Sequence, residues 1–376
     1  MKYINSSILV IHILNGLNYG GLENICLELI KYSPNNIKNI LLNLDPSCNK
    51  MLPAFQKIDN LSIIEMPYLK NINFYFIFNL KKFFQRYQPQ AIIIHPFSIV
   101  HILVAIAARL TFVKKIAVKA GNPPPQNNPL ERSKWKMLIV TSRLLGVSIH
   151  CCSHTVHKQF QSLAKLPEGS FPIPNGCDVE NIAQRAALTR QQQLDSMYSK
   201  KLIIGMVARL NTIKDHETLI RAFAIIQNNF PNTELWLVGE GENKEQLQTL
   251  ARELHVEKEV VFWGGRSDVP ELLGQMDIYA FSTTVNEGFG VALIEAMAAS
   301  LPIVASDVSA CREVLNNGTA GLLASPNSPE ALAQMLEKLL QSIEQREDWG
   351  KKAFERAVSN YSSQVCAEQW YNLVPN

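Results

Sequence analysis

The chain has 376 residues, of which 47% are hydrophobic and 18% are charged. This composition supports large buried cores and excludes a disordered or fibrous protein, and the length indicates two domains or three. The net charge of +3 hides an asymmetry, because residues 1–174 hold 19 Lys and Arg against 7 Asp and Glu, and the remainder holds 17 against 26. A half of charge +12 followed by a half of −9 predicts two chemically different domains, and the basic half suits an acidic substrate or an anionic surface.

The cysteines and the apolar segments indicate a cytoplasmic protein. Seven cysteines without a Cys-x-x-Cys pair predict reduced thiols rather than a disulfide scaffold. Met1–Leu14 lacks the small-residue cleavage site of a secretory signal. The longest apolar stretch, 91–110, contains two histidines, a proline and an arginine, so we expect a strand and a buried helix there instead of a membrane span.

Short apolar runs alternate with helical patterns along the whole chain, which is typical of parallel strands covered by helices on both faces. The turn-rich segment 171–176 divides this pattern, so the sequence predicts two α/β domains, 1–174 and 175–361. Because ligands of open α/β sheets bind beyond the carboxyl ends of the strands, we expect a site in a cleft between the domains. The predicted elements are strands at 8–13, 91–94, 115–119, 147–152, 202–207, 234–238, 260–263, 278–282, 302–306 and 321–324, and helices at 22–31, 95–110, 216–229, 243–254, from Ser328 onward, and 362–373.

Gly20 and Gly21 follow the first predicted strand and open the first predicted helix. Glycines at a helix N-terminus let backbone N–H groups approach an anion, and the helix dipole favours negative charge there. The pattern is neither Gly-x-Gly-x-x-Gly nor a Walker sequence, so a tight turn without a ligand remains an alternative.

Arg209 and Lys214 lie at the carboxyl end of a predicted strand, just before a helix. An arginine can chelate phosphate oxygens through its planar fork and a lysine adds a point charge, so the pair can close on a diphosphate. The alternative is a solvated loop.

Glu287 and Glu295 flank a glycine-rich turn and the start of an apolar helix. Amides near Phe289 to Val291 can hold a phosphate at the helix N-terminus, and Glu295 can accept hydrogen bonds from a pair of sugar hydroxyls. A buried, unpaired carboxylate at Glu295 would be costly, which favours a ligand or a partner over a plain surface glutamate.

Together these features resemble a family 4 retaining glycosyltransferase of the GT-B fold, in which two Rossmann-like domains with parallel sheets face a central cleft. The resemblance covers nearly the whole chain, and the order and spacing of the motifs are specific together. The motifs that carry it are Gly20-Gly21-Leu22-Glu23, Pro174-Asn175-Gly176-Cys177-Asp178, Arg209 with Lys214, Phe262-Trp263-Gly264, Glu287 with Glu295, and Pro302-Ile303-Val304-Ala305-Ser306.

The resemblance implies a role for each matching residue. Arg209 and Lys214 would stabilise the diphosphate leaving group of a nucleotide sugar, Glu287 would face the transferred sugar, and Glu295 would hold the ribose. The final helix, 362–376, would cross back onto the N-terminal domain. The remaining implied donor contacts are Gly20 and Gly21 beside the diphosphate, Gly265 and Arg266 near the base, and Gly288, Phe289, Gly290 and Val291 at the helix start.

One feature departs from the resemblance, because related enzymes often end a strand of the first domain with a histidine near the reacting sugar. The corresponding strand here continues through Lys119 to Asn122 without one. His95, Lys119 and Asn122 are therefore further candidates for polar contacts in the active site. A zinc site at His150, His154 and His157 is disfavoured, because that segment reads as a strand that enters a helix.

We therefore expect a metal-independent enzyme that moves a sugar from a nucleotide-diphosphate sugar to an acceptor hydroxyl, with no cofactor and no nucleic-acid partner. The acceptor would be a glycan or a lipid-linked molecule, and the basic half would dock peripherally on the inner face of an anionic membrane. A fully soluble enzyme is the alternative for that half. The alternatives for the function are a nucleotide-sugar epimerase on the same fold and a non-catalytic subunit that binds a sugar nucleotide.

Overall fold

The computed structural model describes residues 8–18, 20–68, 73–125, 128–194 and 201–375. Part of the segment Met1–Leu14, considered above as a signal, lies outside the described residues. The chain divides into two compact units. Unit 1 contains Met1–Gly176 and Ser363–Asn376, and unit 2 contains Cys177–Ser362.

Unit 1 is built on a six-stranded parallel sheet with the strand order β3-β2-β1-β4-β5-β6. Most of its strands are short and largely buried, because their aliphatic side chains are covered by helices. In chain order its elements are β1 (Ile8–Leu14), α1 (Gly21–Lys31), β2 (Ile37–Asn43), α2 (Leu52–Phe55), β3 (Leu61–Glu65), α3 (Asn73–Tyr87), β4 (Ala91–Ile94), α4 (Ile99–Arg109), β5 (Lys115–Ala120), α5 (Pro129–Leu144), β6 (Ser148–Cys151) and α6 (His154–Leu163).

Unit 2 repeats this architecture with the strand order β12-β11-β10-β7-β8-β9, again parallel throughout. Its elements are α7 (Val179–Leu194), β7 (Leu202–Val207), α8 (His216–Asn229), β8 (Thr233–Val238), α9 (Lys244–Glu253), β9 (Val260–Gly264), α10 (Val269–Gln275), β10 (Ile278–Phe281), α11 (Val291–Ala298), β11 (Ile303–Ser306), α12 (Ser309–Val314), β12 (Leu322–Ala324), α13 (Pro329–Gln341) and α14 (Ile343–Tyr361).

The last helix, α15 (Ser363–Tyr371), returns to unit 1. Its Ala367, Trp370 and Tyr371 join the core that contains Val10 of β1 and Ile93 of β4. The C-terminal residues therefore complete the core of the unit in which the chain begins.

The predicted fold class is confirmed, because both sheets are parallel and each is wound between helices. Counted within its own unit, each sheet has the order 3-2-1-4-5-6, so strand order reverses between β1 and β4 in unit 1 and between β7 and β10 in unit 2. Ligands of such sheets bind outside the carboxyl ends of the strands at this reversal, called the topological switch point. The fold thus directs attention to the loops that follow these four strands.

Several predicted elements agree closely with the structure, and others were missed. The predicted strands at 91–94 and 202–207 and the helix at 216–229 have the observed bounds of β4, β7 and α8. Strands β2 and β3 were not predicted. Within the described residues, no helix combines the length and apolar character that a membrane span requires. All seven cysteines are described, and none of them forms a disulfide.

Candidate active site

Two loops meet at the switch point of unit 2: the loop after β7 and the loop after β10. Lys214 and Thr283 pair as an isolated antiparallel bridge. The N–H of Asp215 donates to the carbonyl of Ser282 at 3.1 Å. These backbone contacts bring the predicted cation Lys214 to the loop that carries the predicted carboxylate Glu287.

Lys214 and Glu287 form an ion pair through Nζ and Oε2. Their side chains are only 16% and 10% exposed. The other carboxylate oxygen, Oε1, accepts the N–H groups of Gly288 at 3.1 Å and Phe289 at 3.3 Å, and the Thr283 hydroxyl lies 3.2 Å from Oε2. Because both charges are largely removed from water, loss of either partner would leave a costly buried charge. The two side chains are therefore held in contact.

Arg209, the second predicted cation, lies directly after β7 and is exposed. Its loop is tied to the loop after β8, because the N–H of Leu210 donates to the carbonyl of Glu240 at 2.9 Å. Only glycine fits at Gly241, where a Cβ would lie 2.2 Å from the Leu210 carbonyl oxygen. No hydrogen bond or ion pair to the Arg209 guanidinium occurs within the described part of the chain, so it can bind an anion.

The glycine-rich turn before α11 has the backbone geometry that the sequence suggested. Gly290 has a φ of +88°, in the left-handed region that favours glycine, and a Cβ there would lie 3.1 Å from the ring of Phe281. Val291 is the first residue of α11. The first-turn N–H groups of a helix have no partner within the helix, so this end can bind an anion.

Glu295 lies on the second turn of α11 and is partly buried. Burial raises the pKa of its carboxyl to about 7. We find no hydrogen bond or ion pair to this carboxylate among the residues that the structure describes. A carboxylate of this kind is available to accept hydrogen bonds from a ligand.

Sequence reasoning missed Tyr279, which connects β10 to the end of β7. It is fully buried in β10, and its hydroxyl donates to the Val207 carbonyl at 3.2 Å. Burial raises the pKa of the phenol, and the negative charges of Glu295 and Glu287 raise it further. No signal distinguishes Tyr279 from an ordinary core tyrosine in the sequence.

His216 is a second residue that sequence reasoning missed. It begins α8 and is 2% exposed, and its Nδ1 lies 3.1 Å from the carbonyl oxygen of Lys214. Burial lowers the pKa of His216 to about 4, so the ring is neutral and Nδ1–H donates to that carbonyl. The histidine therefore holds the backbone that presents Lys214.

Gly265 and Arg266 follow β9 and are exposed. The Arg266 guanidinium forms two hydrogen bonds with the carboxylate of Asp268, at 2.8 and 2.5 Å, and it lies 5.4 Å from the centre of the Trp263 ring. A ligand at this loop would meet a cation that already has an acidic partner.

The candidates of unit 1 separate into exposed and buried groups. Gly21 and Asn122 are exposed, and no atom lies within 4 Å of a Cβ built on Gly21. Gly20 directly precedes α1. His95 and Lys119, by contrast, are each 1% exposed, so the structure places their side chains in the interior of unit 1 and not on its surface.

Residues 190–356, which lie in unit 2, match the family model "Glycosyl transferases group 1". Unit 2 therefore contains the part of the chain that is similar to this family.

Two curated relatives illustrate the likeness in sequence. An N-acetylgalactosaminyltransferase of Campylobacter jejuni, whose name specifies a diphospho-undecaprenol acceptor, is 32% identical over 52% of this chain and 51% of its own length. The D-inositol 3-phosphate glycosyltransferase of Corynebacterium jeikeium is 32% identical over 54% of this chain and 50% of its own. The chain thus spans about half the length of these relatives.

Solved structures show the likeness in fold. The crystal structure of HepE from Anabaena in complex with UDP has a TM-score of 0.80, with 18% identity over 97% of this chain and 98% of that one. The chain therefore has the same fold as HepE, and the predicted GT-B fold is confirmed.

The raised pKa of Glu295 predicts a stability change of defined sign. Since folding raises this pKa from 4.5 to about 7, ionisation of Glu295 is harder in the folded protein, and stability falls as pH rises through that interval. We expect Glu295→Gln to raise Tm at pH 8 and to change it little near pH 4.5, as measured by scanning calorimetry. Glu257→Gln, at an exposed turn, is the control, and an equal gain at both pH values would contradict the assignment.

Proposed function

We propose that the protein transfers a sugar from a nucleotide-diphosphate sugar to an acceptor hydroxyl, with retention of configuration. The observation that carries this proposal is the arrangement at the switch point of unit 2. There an exposed cation, Arg209, follows the same strand as a cation paired with a carboxylate, Lys214 with Glu287. Glu295, whose carboxylate has no partner in the described part of the chain, lies on helix α11. The cations suit a diphosphate, and the carboxylates can accept hydrogen bonds from the hydroxyls of a sugar and a ribose.

Stabilisation of the leaving group is the main contribution to catalysis. As the bond between the sugar and the diphosphate breaks, negative charge grows on the phosphate oxygens. Arg209, Lys214 and the first-turn amides of α11 meet that charge with fixed positive groups, without a metal. Fixed dipoles and charges of this kind need no reorganisation during the reaction, which is why they lower the barrier.

The contacts of Glu287 support retention. Inversion of configuration would need a base that takes the proton of the acceptor hydroxyl. The Glu287 carboxylate already accepts from Lys214 and from two backbone N–H groups. It is therefore suited to orient the sugar and not to remove a proton.

Glu295 would hold the ribose of the donor, and the loop of Gly265 and Arg266 would border its base. Uridine diphosphate is the first nucleotide to test, because HepE, which has the same fold, was crystallised with UDP. In unit 1, Gly20 and Gly21 follow β1 and Asn122 follows β5, at the carboxyl edge of the sheet of that unit.

A lipid-linked acceptor is supported by exposed apolar side chains of unit 1. Helices α3, α4 and α5 each follow a parallel strand, so their N-termini lie at the carboxyl edge of the sheet. Phe74 is 90% exposed at the start of α3, and Leu130 is 83% exposed at the start of α5. We define the apolar rim as Phe74, Tyr75, Phe78, Ile99 and Leu130, which are all exposed.

Cations accompany the apolar rim. Lys82 lies 4.4 Å from the centre of the Phe78 ring and is exposed on α3, as is Arg86. Each lysine or arginine near an anionic bilayer contributes about 1 kcal/mol, so a net charge of +12 over residues 1–174 favours docking on such a surface. The acceptor of the Campylobacter relative is a lipid diphosphate by its name, which agrees with this choice.

Substitutions in unit 2 test the donor site. We expect Glu295→Ala to weaken donor binding, since its hydrogen bonds form in the ground state. Lys214→Ala should mainly lower kcat, because the leaving-group charge is largest in the transition state. Each loss should be on the order of 2–4 kcal/mol, measured by steady-state kinetics and by calorimetric titration of UDP sugars.

Lys201→Ala is the control for these variants, because Lys201 forms an exposed ion pair with Glu234 elsewhere in unit 2. Normal turnover in both site variants would contradict the proposed roles. Isomerisation of the donor without an acceptor would instead show an epimerase, and binding without turnover would show a non-catalytic subunit.

Chelation tests the proposed metal independence. Because Arg209, Lys214 and helix amides meet the diphosphate charge, we expect the transfer rate to survive brief treatment with EDTA. A loss of rate that Mg²⁺ or Mn²⁺ restores would contradict this prediction.

Sedimentation with liposomes tests the membrane surface. Binding should need anionic lipid, weaken with salt, and drop when Lys81, Lys82 and Arg86 are changed together to glutamate. The matched control changes Lys258, Lys351 and Lys352 of unit 2 to glutamate and should leave binding intact. Equal recovery of the wild type with neutral and anionic vesicles would show that electrostatic docking does not occur.

A further inference from the structure

A cluster of nitrogen and sulfur atoms is buried in the interior of unit 1, outside the residues proposed for transfer. His12 lies within β1, Cys26 within α1, and His95 directly after β4. All three are at most 1% exposed. One ligand atom from each residue lies within 4.8 Å of the others, so the packing of three elements brings a set of potential metal ligands together.

The spacing of the two imidazoles fits a single metal ion. His12 Nδ1 and His95 Nε2 are 3.4 Å apart. Two nitrogens bound to one tetrahedral zinc, each about 2.0–2.1 Å from it, are separated by about 3.3–3.4 Å. A hydrogen bond between the two rings would also give this distance, so the observation that favours a metal ion is the position of the Cys26 sulfur, within 4.8 Å of a nitrogen of each ring.

The surroundings of His12 hold its ring in the tautomer that a metal requires. Its Nε2 lies 3.1 Å from Oδ1 of Asn39, an atom that can only accept, so Nε2 carries the hydrogen and Nδ1 keeps its lone pair. The Asn39 Nδ2 donates to Ser33 at 2.9 Å, and the Tyr371 hydroxyl donates to Asn39 Oδ1 at 3.2 Å. Histidines bound to metals are commonly oriented by a second set of residues in this way.

We propose that His12, Cys26 and His95 bind one zinc ion, with a water molecule as a fourth ligand. Nitrogen and thiolate ligands together select zinc or a similar transition metal over magnesium or calcium. The ion joins β1, α1 and β4, so it stabilises unit 1 and takes no part in the transfer. No sequence pattern indicates this site, because the three residues are far apart in the chain and form no recognised motif.

Cobalt substitution tests the proposal without any activity assay, so the result is independent of the proposed function. The protein is expressed in zinc- or cobalt-supplemented medium, because its ligands assemble only on folding, and purified through a tag that contains no histidine. We expect about one metal ion per chain. The cobalt protein should show a thiolate-to-cobalt charge-transfer band and the visible bands of tetrahedral cobalt.

Cys26→Ser should abolish the charge-transfer band, whereas Cys48→Ser, at a more exposed thiol of unit 1, should keep it. Asn39→Ala should weaken metal affinity on the order of 10–100-fold, because it removes the partner of His12. Folded wild-type protein without stoichiometric metal, or a band that persists in Cys26→Ser, would overturn the proposal. If Cys26→Ser does not fold, the metal content and spectrum of the wild type decide alone.

Discussion

The order of the strands in unit 2 is the constraint on which its site depends. Because β7 and β10 are neighbours although a long stretch of chain separates them, the loops that follow them meet at one edge of the sheet. The ion pair between Lys214 and Glu287 is the result of this arrangement. Removal of either side chain would leave the other as a largely buried charge without an opposite charge beside it.

The carboxylates of this site differ in their energetic state. Glu287 has a partner for each oxygen, so its charge is compensated within the protein. Glu295 has no such compensation among the described residues, and its raised pKa reflects the cost of its burial. A structure optimised for stability alone would place a neutral or apolar side chain there. An acidic side chain at such a position is typical of sites where function is maintained at the expense of stability.

The elements that could be predicted from sequence are those with an uninterrupted local pattern. Ala91–Ile94 and Leu202–Val207 are continuous apolar runs, so their strands were evident. Strand β2 was missed because Asn39 and Asn43 interrupt its apolar pattern. Both asparagines are buried and hydrogen-bonded to side chains outside their strand. Such compensation depends on tertiary contacts that a local pattern does not contain.

The candidate site shows the same limit. Sequence spacing predicted that Glu287 and Glu295 flank a helix start, and the glycine-rich turn between them contains a left-handed residue, Gly290. The direct contact of Lys214 with Glu287 joins residues 73 positions apart and follows only from the strand order. Tyr279 and His216 were missed for a related reason, because an aromatic residue within a strand or at a helix start is usually structural. Their positions beside charged groups become visible only in three dimensions.

The two units use one topology in opposite ways. In unit 2 the polar groups lie beyond the strand ends, in loops or on the helix that follows, where Arg209 is exposed and Glu295 is only partly buried. In unit 1 the polar groups His12 and Lys119 lie within the strands themselves and are buried. The arrangement in unit 2 can bind a charged substrate, because its polar groups are accessible and the water around them can be displaced. The buried arrangement in unit 1 has no access for a substrate as large as a nucleotide sugar. The polar groups in its core therefore require either internal partners or a small ion that is enclosed as the unit folds.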